Sequence, residues 1–154
     1  MPHINELIDY TVETFVVFDQ KVLLRFHDKY NIWLSVGGHI ELNENPNQAA
    51  VREVKEEVGL DVVLFDQAGI AKKHSENYTE LIPPVFMNIH RISETHQHIG
   101  MTYFAKAFSD KVIEPEGEKS GGWKWMAKEE IEKAADINAS IKMYALKALE
   151  VLGE

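Results

Sequence analysis

Apolar positions fall first into short β-branched and aromatic runs and change to helical spacing near residue 45. Thr11 to Phe18 (TVETFVVF) predicts a strand. Asp19-Gln20 predicts a tight turn, and Lys21 to Phe26 (KVLLRF) its hairpin partner. A short apolar run from Trp33 to Val36 stops at Gly37-Gly38. Asn45 to Val58 predicts a helix. Asn45 is a good N-cap, Pro46 suits the first helical position, and Gln48 completes a capping box. Gly59 then suits the C′ position, which needs a positive φ. Asp61 to Phe65 predicts a strand. Leu81 to Ile92 is apolar but broken by Pro83-Pro84, so a strand is expected only from about Val85. Met101 to Phe108 and Gly122 to Met126 predict two more strands. Lys128 to Ala135 and Ser140 to Leu152 predict helices, the second with Ile141, Ala145, Leu149 and Leu152 at helical spacing. Mixed strands with a few helices imply an α/β or α+β sandwich.

No repeat, low-complexity tract or Pro/Gly/Ser linker divides the 154 residues, so 1–154 is expected to be one domain. The absence of cysteine excludes a disulfide scaffold, a thiolate metal site and thiol catalysis. With 16 basic and 25 acidic residues the net charge is −9, which disfavours grip on a nucleic-acid polymer through general electrostatics. A polyanionic substrate would need a recruited positive charge, and a divalent metal is the natural choice. No run is long and apolar enough for a transmembrane helix, and Met1 to Glu6 lacks the blocks of a signal peptide. The expectation is a cytoplasmic protein without membrane partners.

The chemistry concentrates in Gly37 to Leu60 (GGHIELNENPNQAAVREVKEEVGL). At about 100° per residue, Ala50, Val51, Val54 and Val58 fall on one side of the helix. Glu53, Glu56 and Glu57 fall together on another. Like charges three and four apart repel, and only Arg52, four before Glu56, relieves this in part. A divalent cation would remove the repulsion, and hard oxygen ligands suit Mg²⁺ or Mn²⁺. A charged, solvated helix face is the competing reading of the run alone.

The segment resembles the Nudix box: Gly38, Glu44, Arg52, Glu53, Val54, Glu56, Glu57, Gly59 and Leu60 match all nine specified positions over 23 residues. The resemblance extends to an apolar hairpin before the box, Trp33, the glycine pair, Trp125 and a final helix. Val36 departs from the Pro that many members carry before the glycines. The family resemblance implies an α/β/α sandwich with a mixed sheet. It also implies Mg²⁺-dependent (or Mn²⁺-dependent) hydrolysis of a diphosphate linkage in a small nucleotide, such as a nucleoside triphosphate, ADP-ribose or another nucleotide sugar, or a dinucleoside polyphosphate. Carried over by position, Glu53 and Glu57 are metal ligands, with Glu56 as ligand or base and the Gly37 carbonyl at the metal. Arg52, Glu44 and Gly38 support them. In some members a base comes from a loop before the Trp strand, which makes Glu118 a further candidate, set against a plain solvated acidic loop. A homodimer is implied by resemblance alone.

Outside the box, Arg25 is a candidate phosphate contact. His96 and His98 form an H-x-H pair that would contact a phosphate or leaving group, hold a second metal, or simply edge a sheet. His39 lies in the box loop at a variable position and is expected to be a local loop residue. Two competing readings stand beside hydrolysis. A non-catalytic nucleotide-sensing module would be favoured by a lost box glutamate, and all are present. A diphosphate isomerase of the same fold normally uses a Cys, and this chain has none.

Overall fold

A computed structural model describes residues 3–69, 72–116 and 121–153. The hairpin forms as its residues demand. Strands Ile8–Phe18 (β1) and Lys21–His27 (β2) meet at a two-residue turn, where Asp19 and Gln20 both take positive φ (48° and 61°). β2 stays beside β1 only at Val17↔Val22 and Phe18↔Lys21. It then diverges to pair with Ile32–Leu34 (β3) and, on its other edge, with Trp123–Ala127 (β10). The place it vacates beside Thr11–Thr14 is taken by Val36–His39 (β4). The apolar run therefore does not stop at the glycine pair: Gly37 and Gly38 are strand residues, paired with Glu13 and Val12.

Helix Pro46–Val58 (α1) follows, with the full Asn45/Gln48 capping box and Gly59 at φ 71°. Val62–Leu64 (β5) comes next. A small separate hairpin of His74–Ser75 (β6) and Tyr78–Thr79 (β7), which no periodicity announces, lies before Phe86–Arg91 (β8). Gln97–Ala107 (β9) starts earlier than its apolar core suggests and runs parallel to β1, from Ile8↔Gln97 to Val17↔Lys106. β5 and β8 flank β9 antiparallel. The result is a mixed eight-stranded sheet of order β10-β2-β1-β9-β5, with β3, β4 and β8 attached beside that path. Helix Lys128–Lys133 (α2) ends before Ala134, which is extended, and Ala139–Leu152 (α3) closes the fold with Asn138 as its cap.

Alternation along the strands splits the core into two layers. Phe15, Val17, Leu24 and Phe104 pack with Ile141, Tyr144, Ala145 and Ala148 of α3. Val16, Leu23 and Val36 pack with Val54 and Val58 of α1, while Val12, Tyr103 and Ala105 pack with Ala49 and Ala50. Each of the Val, Leu, Ile and Phe side chains contributes about 1.5–3 kcal/mol through burial. The architecture is the α/β/α sandwich with α1 clamped onto β4. Among the described residues no helix is long and apolar enough to cross a membrane.

Candidate active site

The glycine pair sets the distance between sheet and helix. A Cβ on Gly38 would run into the Glu53 carboxylate, and one on Gly37 into the Val12 carbonyl. Without those side chains α1 lies close under β4, and Glu53 is drawn into the buried side of the helix, at 3% exposure. This corrects the simple wheel, which puts Val51 on the buried side and Glu53 with the outward carboxylates. Val51 is 39% exposed.

The three box glutamates on α1 thus sit in a gradient. Glu53 is buried, Glu57 nearly so, and Glu56 faces solvent. Burial pushes the Glu53 carboxyl up, against the pull of Arg52. Burial first, then the nearby Glu53 charge, pushes Glu57 up to about 8, although Arg25 and the Gly37 amide pull the other way. Two carboxyls facing each other in a desolvated pocket cannot both ionise cheaply. Among the described residues Glu57 Oε2 is buried with no hydrogen-bond partner, and Arg25 Nη1 lies 3.9 Å away. An orphaned carboxylate oxygen beside a second carboxylate fits a hard divalent cation, which supplies the missing positive charge.

Arg52 organises the surroundings. Its Nε and Nη2 donate to the two oxygens of Glu44, at 2.8 and 2.6 Å. Nη1 donates to Glu53 and Glu56, both at 3.0 Å, and Nη2 also to the His39 carbonyl at 3.0 Å. Glu44 in turn accepts from the Glu41 amide at 2.9 Å. The Arg52 hydrogen bond holds Glu44 below its usual range, and Glu44 raises Arg52. One guanidinium thus fixes three box glutamates, Glu53 and Glu56 on the helix and Glu44 in the loop that enters it.

Where β2 leaves β1 the sheet opens into a cleft of about 200 Å³, lined by Glu13, Arg25, Gly37, Gly38, His39 and His98 among others. The candidate Arg25 lines the cleft and also faces Glu57 at 3.9 Å, and His98 lines the cleft, whereas His96 does not line it and is buried at 3% exposure. Burial, then His39, His90 and His96, lowers His98 to about 4. A larger hollow of about 940 Å³ lies elsewhere, lined by Lys21, Phe86, Lys128, Met143 and Leu149 among others. It contains no box residue, whereas Gly38 of the box lines the smaller cleft. Glu118 lies outside the described residues. The chain leading to it is anchored on α1, since the Ile113 amide donates to the Val58 carbonyl at 2.9 Å.

Three residues at or beside the cleft were not predicted to have roles. Glu13, mid-strand, carries a carboxyl that burial pushes up. Asp9, at 1% exposure, sits 3.0 Å from His39 Nε2. Burial raises the Asp9 carboxyl, but the amides of Asn5 and Ile4 and the facing His39 and His96 outweigh it and lower it to about 2. His39 is 7% exposed, a wall residue rather than a loop residue. Only the histidine count hinted at this; a lone Asp or Glu in an apolar strand gives no periodic signal.

Comparison with known proteins agrees with this geometry. The family model described as the NUDIX domain matches residues 11–146. A crystal structure of a NUDIX-family hydrolase from Clostridium perfringens is 35% identical, with a TM-score of 0.81, covering 94% of this chain and 97% of that one. The MutT protein from Methanosarcina mazei Go1 matches at a TM-score of 0.67 and 16% identity, covering 99% and 100%, a likeness of fold alone. The dihydroneopterin triphosphate diphosphatase of Escherichia coli (strain K12) is 50% identical over 42 residues. That stretch is 27% of this chain and 28% of the relative, so the match spans less than a third of the relative's length.

Proposed function

We propose, for a chain that belongs to the Nudix hydrolase family and acts on pyrophosphate bonds, the Mg²⁺-dependent hydrolysis of a diphosphate linkage in a small nucleoside diphosphate derivative. The buried Glu53–Glu57 pair supports this most strongly, with an oxygen of Glu57 that has no hydrogen-bond partner among the described residues.

Glu53 and Glu57, with the Gly37 carbonyl, would hold Mg²⁺, or Mn²⁺ in its place. Bound there, the cation neutralises phosphate charge and acidifies a water molecule. The rest falls to the chain's own groups. Arg52, braced by Glu44, keeps Glu53 and Glu56 aimed while the pocket fills and empties. Water attacks one phosphorus, the P–O anhydride bond breaks, and the leaving phosphate departs with its electron pair. Glu56, the solvent-facing member of the set, takes the water's proton and returns it to bulk water. Glu118 is a second candidate base. Arg25 meets the phosphates or the leaving group from the cleft wall.

The substrate class is a nucleoside triphosphate, a nucleotide sugar such as ADP-ribose, or a dinucleoside polyphosphate. The short match to a dihydroneopterin triphosphate diphosphatase adds a pterin triphosphate to that set. The reading includes one domain over 1–154, a cytoplasmic location, no membrane or nucleic-acid polymer as partner, and a homodimer. The net charge of −9 supports the exclusion of a polymer. A chromatographic screen of these compounds with Mg²⁺ tests the function. One class turned over well above the rest, with products that identify the broken bond, is expected. Negligible turnover across the panel, with metal binding intact, would replace hydrolysis by a nucleotide-sensing role.

A further inference from the structure

Five of the seven histidines gather where β1, β4, β8 and β9 meet: His3, His39, His90, His96 and His98. We propose that His3, Asp9, His96 and His98 form a second metal site, three imidazoles and one carboxylate, for a Zn²⁺-class transition dication. It is separate from the box carboxylates and does not depend on the function proposed above.

The donors are already placed. One ligand atom from each of the four residues lies within 4.8 Å of all the others. Asp9 Oδ2 is 3.3 Å from His3 Nδ1 and 3.4 Å from His96 Nε2. Tetrahedral ligands at zinc bond lengths stand about 3.3–3.4 Å apart, so these edges need almost no closing. The ring of His96 is also held in the required form. Its Nδ1 donates to the Glu6 carbonyl at 3.0 Å, which leaves the Nε2 lone pair aimed inward. His96 is 3% exposed; among the described residues its buried Nε2 has no hydrogen-bond partner and meets the Asp9 carboxylate at 3.4 Å, and the buried Nε2 of His98 has no hydrogen-bond partner either. A network serving only packing would pair these nitrogens. Asp9 is fixed from behind by the Ile4 and Asn5 amides, at 3.1 and 2.6 Å.

The donor set also selects the metal. Imidazole nitrogen suits Zn²⁺, Co²⁺ or Ni²⁺, whereas Mg²⁺ keeps to oxygen. The ion would clip the N-terminal residues 3–6 onto β1 and β9, closing a loop of some 90 residues between His3 and His96. His39 joins the two centres: its ring faces Asp9 at 3.0 Å and its carbonyl accepts from Arg52.

The test is a Co²⁺ titration of the metal-stripped full chain in excess Mg²⁺, read by visible absorption. The expected result is one equivalent of Co²⁺ with the strong bands of four- or five-coordination, displaced by Zn²⁺. The Glu53→Gln/Glu57→Gln double variant retains the bands, and His96→Ala and His98→Ala lose them. His3→Ala, which alters a half-exposed side chain and so spares the fold, weakens Co²⁺ binding by at least about tenfold. Should His96→Ala fail to fold, His3→Ala and His98→Ala decide. Weak octahedral bands abolished by Mg²⁺, bands lost in the double glutamate variant, or wild-type bands in both His3→Ala and His98→Ala would overturn the proposal.

Discussion

Replacing Glu57 by Gln should make the metal-free protein more stable and the enzyme far less active. The carboxyl stands near 8 in the fold against an ordinary 4.5, chiefly through burial. A raised acid binds its proton more tightly when folded. At low pH it is protonated in both states and costs nothing. As pH rises through 4.5 the unfolded chain ionises first, and the penalty is complete above about 8. A group titrating alone over that interval would cost ~5 kcal/mol, at ~1.4 kcal/mol for each pH unit. Glu53 carries part of that repulsion and keeps its own burial cost, and the variant forfeits the attraction of Arg25 at 3.9 Å. About 2 kcal/mol is therefore the expected gain at pH 9. For a chain of this length, that raises Tm by about 4–8 °C. The assay is thermal unfolding of both proteins, stripped by chelation, at pH 4.5 and pH 9. The two should melt together at pH 4.5 and separate at pH 9. Added Mg²⁺ should stabilise the wild type and leave the variant unmoved, and turnover should fall by orders of magnitude. A variant no more stable than wild type at pH 9 without metal, or one with wild-type turnover, would refute the reasoning.

The same geometry sets two further outcomes, and the family resemblance a third. Gly38→Ala should push the Glu53 carboxylate aside and weaken Mg²⁺ activation at least tenfold, read as the Mg²⁺ dependence of kcat; an unchanged dependence would contradict the close approach of β4 and α1. Arg52→Ala should destabilise the fold by about 2–4 kcal/mol in urea unfolding, because Glu44 and Glu53 lose their shared cation; a loss under about 0.5 kcal/mol would reduce the Arg52 network to surface pairing. Glu118→Gln should impair kcat more than Glu116→Gln, and equal minor effects would return that loop to solvated surface.

What the chain discloses in advance depends on how local each cause is. The capping box, Gly59 and the Asp19-Gln20 turn act within a few residues, and each forms as predicted. The strand through Gly37 and Gly38 could not be read from pattern, because a glycine carries no side chain to signal a face. The burial of Glu53 follows from that same gap, opened by Gly38 on a strand fifteen residues earlier, so a helix wheel misplaces it. The Nudix box identified the family because its spacing is long and fully specified. Asp9, Glu13 and His39 stayed illegible because tertiary pairing alone, β1 against β4 and β9, assembles them.

The most direct measurement is turnover of a phosphoanhydride substrate by protein stripped with EDTA, then supplied with Mg²⁺, in the wild type and in Glu53→Gln and Glu57→Gln. Activity absent after stripping, restored by Mg²⁺ or Mn²⁺ in the wild type and not in either variant, is the predicted result. Activity that survives EDTA, or that Mg²⁺ restores equally in all three proteins, would contradict catalysis built on the buried glutamate pair.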